Sequence, residues 1–126
     1  MKNTPYLFFV VSLFTLALLQ FLALRFYLYW IYPDLDIPMH ALGGAVLAFG
    51  FLSAVGHIRL LPWKRGLPIT LAVVVVIGIG WEVYEFITGS IFNTIAPLTD
   101  TLFDIVMDIV GGILGYFIIH SFDTYE

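Results

Sequence analysis

The sequence predicts an all-α membrane protein, one domain over residues 1–126 built as a four-transmembrane-helix bundle. Composition is the first reason. Of 126 residues, 61% are hydrophobic and only 11% charged, and the mean hydropathy is +1.01. A soluble domain of this length has too little interior to hide so much apolar surface. Second, four apolar stretches are each long enough to cross a hydrocarbon layer of about 30 Å. Third, the segments between them carry the prolines, glycines and basic residues that end helices and sit in loops.

The first helix is expected over about Tyr6 to Trp30, closing in an aromatic belt of Tyr27, Tyr29, Trp30 and Tyr32. It is too long for the core of a signal peptide and lacks a small-x-small cleavage site, so it reads as a retained span. The Pro33-Asp34-Leu35-Asp36-Ile37-Pro38 turn follows, with one proline stopping a helix and the other starting the next. The second helix is expected over about Met39 to Val55. A basic loop with His57, Arg59, Lys64 and Arg65 leads to a third helix, from near Pro68 to about Thr88. The uncharged linker Gly89 to Thr99 contains Ile91, Phe92 and Ile95, which suggests a short interfacial or re-entrant segment. The fourth helix is expected over about Asp100 to His120, with Thr99 or Asp100 as N-cap and a capping-box spacing from Thr101 to Asp104.

Lys and Arg set the orientation. Lys2 precedes the first helix, and Arg59, Lys64 and Arg65 lie between the second and third. Both regions share one side of a four-span topology, so both termini are expected to be cytoplasmic in a multi-pass protein of the cell membrane. The chain has no cysteine and a formal net charge of −4. Disulfide, thiolate and Cys-ligated metal chemistry are excluded, and no basic patch is present to bind nucleic acid.

Against this apolar background, Arg25, His40, Glu82, Glu85, Asp100, Asp104 and Asp108 all fall at one depth, in the outer half of the bilayer. Charge in hydrocarbon costs a few kcal/mol per group or more, so such residues usually face a protein interior or a wet cavity. Their helix faces agree. Asp100, Asp104, Asp108, Gly111 and Gly115 form one stripe; Gly78, Glu82 and Glu85 form a second; His40, Gly44 and Ala48 form a third. On each stripe the polar residues lie outward and the small ones inward, where small residues let helices approach closely. The expectation is a tight apolar waist below a polar cup.

Plainer readings exist for some of these residues. Arg25 can snorkel among the belt aromatics, and Asp100 can be a helix cap. Asp34 and Asp36 read as solvated turn residues, although Asp36 precedes His40 by one turn. His57 and His120 read as interfacial on the opposite side. Glu82, Glu85, Asp104 and Asp108 have no comfortable plain reading, because four anions in a low-dielectric layer must bind cations, hold protons or face water.

Asp36-Ile37-Pro38-Met39-His40, with its following glycines, resembles the opening Asp-x-x-x-His of VanZ-like membrane proteins. Trp81-Glu82-Val83-Tyr84-Glu85-Phe86 resembles the third-helix motif of the related YjdF-like inner-membrane proteins. Asp100-Thr101-Leu102-Phe103-Asp104, then Asp108, Gly111 and Gly115, resembles the last-helix motif of both. Asp108 stands where the VanZ-like pattern has Asn, and Glu85 near its Gln, so the chain is closer to the YjdF-like variant. The resemblance implies a small polytopic protein of the cell envelope, linked in some VanZ-like members to glycopeptide resistance.

Two main functional readings stay open. One is a metal-dependent enzyme, a hydrolase or transferase, acting on a lipid or lipid-linked substrate. His40, Glu82, Glu85, Asp104 and Asp108 would hold a divalent ion (Mg, Mn, Ca or Zn), His40, Glu82 and Glu85 would do the proton work, and Arg25 would steady an anionic headgroup. The other is a non-enzymatic lipid- or cation-binding accessory protein, working as a homodimer or within a membrane complex. A proton or cation pathway is a third reading, opposed by the apolar waist.

Overall fold

In the computed structural model, residues 4–55, 63–89 and 97–123 are described. They form helices α1 (Thr4–Arg25), α2 (Leu28–Ile31), α3 (Asp36–Ala54), α4 (Trp63–Thr88) and α5 (Pro97–Asp123), with a 3₁₀ turn at Pro33–Leu35 before α3. Four stretches are long and apolar enough to cross a membrane: Thr4–Arg25, Pro33–Ala54, Gly66–Thr88 and Pro97–Phe122. Among the described residues there is no strand. Large apolar side chains such as Phe14, Val76, Phe86 and Leu114 lie exposed on the outside of the bundle. A hydrocarbon solvent favours that distribution.

Successive spans run antiparallel, as contacts at the two ends of the bundle and the packing of Leu67, at the start of α4, against the first of them show. At one end Phe8 of α1 packs against Phe49 of α3 and Phe122 of α5, with ring centroids 5.3 and 5.4 Å apart. Here Phe49, Leu52, Tyr116 and Ile119 form a buried apolar cluster. At the other end Ala23, Tyr29 and Met39 form a second. The polar residues of α3 and α4 that line the cavity, Asp36, His40 and Glu85, lie at the level of this second cluster.

The most extensive interface joins α3 and α5, and glycine is the cause. A Cβ on Gly44 would collide with the backbone carbonyl of Asp108, and a Cβ on Gly111 with that of Ala41. Gly115 comes within 3.1 Å of the Ala45 carbonyl on the same measure. The expected waist is thus a line of backbone contact, as small-residue stripes allow in membranes. Helix α1 packs on α3, and α4 packs on α5 and α3, but α1 and α4 make no extensive contact with each other.

Helix boundaries differ from the expectation in four places. The third membrane helix starts at Trp63, five residues before Pro68, and takes in Lys64 and Arg65 of the expected loop. The first helix does not run unbroken to Trp30. It ends at Arg25, and Tyr27 adopts a left-handed conformation (φ 55°) before the short α2 begins. A non-glycine residue there costs about 1–2 kcal/mol, and the turn swings buried Tyr29 back so that its hydroxyl donates to Gln20 Oε1 at 2.5 Å. The second membrane helix starts at Asp36, not Met39. Pro38 falls in its first turn, where a missing N–H costs nothing. The fourth starts at Pro97, so Thr99 and Asp100 lie inside it and Thr101 does not form a capping box. Its hydroxyl donates to Glu82 Oε2 at 2.8 Å instead. The expected interfacial segment falls mostly on residues 90–96, outside the described residues, as does His57.

Candidate functional site: one imidazole among carboxylates

His40 is buried one turn into α3, and both its ring nitrogens meet carboxylates. Nδ1 lies 3.2 Å from Asp108 Oδ1. Nε2 lies 3.7 Å from Asp36 Oδ1, 3.8 Å from Asp104 Oδ2 and 3.9 Å from Glu82 Oε1. Three helices therefore aim oxygens at one nitrogen. Asp36 does so because it precedes His40 by four residues on the same helix face; Glu82 and Asp104 do so because α4 and α5 end and begin at that level.

The seat of Asp108 is made by missing side chains. A Cβ on Gly78 would come 2.5 Å from its Oδ2 and one on Gly43 3.8 Å from its Oδ1, while Gly44 lies against its backbone. With Nδ1–H donating to Asp108, the lone pair of Nε2 is left facing the other three carboxylates, the orientation that a carboxylate partner imposes on metal-binding histidines.

Glu82 Oε1 is buried without a hydrogen-bond partner, whereas its Oε2 is held by Thr101. A buried carboxylate oxygen left bare costs free energy that a cation or proton would recover. Glu85, half-buried at the rim, accepts a hydrogen bond from Trp81 Nε1 at 3.0 Å. Two sets of side chains could hold a metal ion, Asp36, His40 and Asp104, and His40, Glu82 and Glu85; within each set the ligand atoms lie within 4.8 Å of one another.

A cavity of about 430 Å³ opens beside His40. Its polar end is formed by Gln20, Tyr29, Asp36, His40, Glu85 and Asp108, and its walls by apolar residues of α1, α3 and α4. Tyr29 is outside the spans. Burial first, then the Asp36 and Glu85 carboxylates, push its phenol up to about 12, so it remains a donor to Gln20.

Of the residues predicted from sequence, His40, Glu82, Glu85, Asp104 and Asp108 come together. Arg25 does not join them. It is exposed at the end of α1, with its guanidinium 5.8 Å from the centroid of the Phe26 ring. Asp100 is only partly buried and one turn outward of Asp104. Asp36, expected from the sequence to be a solvated turn residue, belongs to the cluster; its four-residue spacing from His40 is the signal for it. His120 lies on the opposite side, stacked on Tyr116 with centroids 4.1 Å apart.

The chain belongs to the family described as predicted membrane protein (DUF2238), whose model matches residues 1–123. No curated protein and no solved structure matches it.

Proposed function

We propose that the protein is a membrane enzyme that uses a divalent cation, held by His40 and the carboxylates around it, to act on the head of a lipid or lipid-linked molecule. One observation carries this reading: Nε2 of a buried imidazole faces Asp36, Glu82 and Asp104 from three helices while its other nitrogen is braced by Asp108. One nitrogen and several oxygens suit Zn or Mn, and the carboxylates alone suit Mg or Ca. Ligands at about 2.0–2.2 Å from an ion would need these groups to draw in by roughly an ångström. In this reading Asp108 orients His40, and the ion is taken by His40, Asp36, Glu82 and Asp104. Such an ion would polarise a phosphoryl or ester oxygen and supply a hydroxide near neutral pH. Glu85, at the rim of the cavity, is the base within reach of an incoming water.

The non-enzymatic reading, a cation- or lipid-binding accessory protein of the envelope, uses the same site without turnover. The VanZ-like and YjdF-like resemblance at residues 36–40, 81–86 and 100–104 fits either. Arg59, Lys64 and Arg65, between the second and third spans in sequence, support cytoplasmic termini, which puts the cluster toward the outside.

Metal binding is the first test. Titration of purified protein with Zn, Mn, Mg and Ca, followed by calorimetry and thermal unfolding, should find one that raises the melting temperature by mass action. Affinity should fall as pH is lowered, because protons compete for His40 and the carboxylates. Absence of binding by every ion, with melting unchanged by chelator, would refute the reading. Turnover of a phosphate- or ester-bearing lipid by the loaded protein then separates enzyme from accessory protein.

A further inference from the structure

The cavity beside His40 is more than a vestibule. Its walls are Leu13 and Ala17 on α1, Val46 and Leu47 on α3, and Ile77 on α4. These residues fall near the middle of their spans. Its polar end, at Asp36 and Glu85, falls at the rim. From Asp36 to Leu47 the floor runs eleven residues along α3, about 16 Å at about 1.5 Å per residue. That is about half of a hydrocarbon layer of about 30 Å, the depth of one leaflet. The polarity therefore runs from polar at the interface to apolar at the midplane, in the order a lipid presents. The two side walls, α1 and α4, make no extensive contact with each other, and Leu13 and Ile77 are each more than 40% exposed. The cavity is thus open sideways to the bilayer. Water between the apolar walls would find few side-chain partners, and a volume of about 430 Å³ lies within the roughly 300–1,000 Å³ of small-molecule sites.

We infer that this cleft takes one hydrocarbon chain of a lipid, which enters sideways from the bilayer between α1 and α4 and lies along α3 with its head at the His40 cluster. Among the described residues, no lysine or arginine lines the cleft. An anionic head would accordingly be held through the cation, so the head contact rests on the proposed metal site. The chain contact does not, and depends only on the shape and polarity of the cleft.

The test uses the full chain in phospholipid vesicles that carry a trace of phospholipid with a diazirine in the terminal third of one acyl chain. Labelling is expected to concentrate on the α3 and α4 walls, at Leu47 and Ile77, and to saturate. Ala17→Trp, at an exposed wall position, should fill the cleft and lower this labelling at least fivefold; Leu13→Trp should act in the same direction. Val83→Trp, on the exposed face of α4 away from the cleft, should leave it unchanged. Competition by excess unlabelled phospholipid or by a polyprenyl phosphate then says which chain is preferred. Labelling spread evenly over Leu47, Val83 and Phe86, and indifferent to Ala17→Trp, would overturn the inference. Calorimetric metal titration of the same samples keeps the two ideas apart: metal bound without saturable labelling sinks the cleft alone, and saturable labelling without metal sinks the cation site alone.

Discussion

Between α3 and α5 the backbones touch, while α1 and α4 stand apart on either side of a cleft. The first pairing leaves no room even for a methyl group at Gly44 or Gly111, so the relative register of the two helices is fixed. Those two helices carry Asp36, His40, Asp104 and Asp108. The groups proposed to hold an ion thus sit mostly on the part of the bundle least able to move. The flanking helices supply mostly apolar walls, with Gln20, Glu82 and Glu85 as polar contributions, and would have freedom to spread for the inferred lipid chain.

That contrast can be broken most forcefully at Gly111. Gly111→Leu drives a side chain into the Ala41 carbonyl and should cost at least about 3 kcal/mol, seen as loss of a folded, monodisperse species in detergent. Gly80 has nothing within 4 Å of an added Cβ, and Gly80→Ala should change thermal stability by less than about 0.5 kcal/mol. Equal sensitivity at the two positions would show that the α3–α5 contact is not the rigid element.

The next effect is chemical. Asp108→Asn keeps the size of the side chain in its glycine-lined seat but weakens the hold on His40 Nδ1. Metal affinity should drop about 10–100-fold with little change in melting of the metal-free protein. Glu82→Gln removes one of the facing carboxylates and should weaken binding at least as much. A smaller effect is expected at the outer end of the cleft: Tyr29→Phe leaves Gln20 without its donor and should cost about 1 kcal/mol. Smallest of all is Arg25→Ala, where an exposed guanidinium over Phe26 is worth less than about 1 kcal/mol. Any large loss of lipid turnover in that variant would return Arg25 to the site.

The four spans and the convergence of their polar stripes were legible because length, apolarity and three-to-four spacing are properties of the sequence itself. Asp36 was harder to read. Two flanking prolines make 33–38 look like a turn throughout, yet a proline in the first turn of a helix is harmless, so α3 begins early enough to put Asp36 one turn outward of His40 on the same face. The break at Tyr27 has no signal in the sequence, since tyrosine is a poor candidate for a left-handed residue; Arg25 joins the expected site by depth alone, and depth does not say which face of α1 carries it. Asp108 was recognised as a site residue but not as the partner of Nδ1. Its contact depends on how deeply α5 slides against α3, which the backbone contacts at Gly44 and Gly111 decide and helix periodicity does not.

The waist formed by Gly111, Gly115, Phe49 and Tyr116 closes the bundle axis below the cluster, so an ion reaching His40 must come and go through the same mouth. Such an ion travels part of the way through the membrane's electric field without ever crossing it. His40 lies four residues below Asp36, about 6 Å at about 1.5 Å per residue, or roughly a fifth of a hydrocarbon layer of about 30 Å. One elementary charge moved across the whole layer is worth about 2.3 kcal/mol per 100 mV. A divalent ion held at that depth is therefore coupled to the membrane potential by about 1 kcal/mol per 100 mV, close to a fivefold change in affinity between an energised and a depolarised membrane.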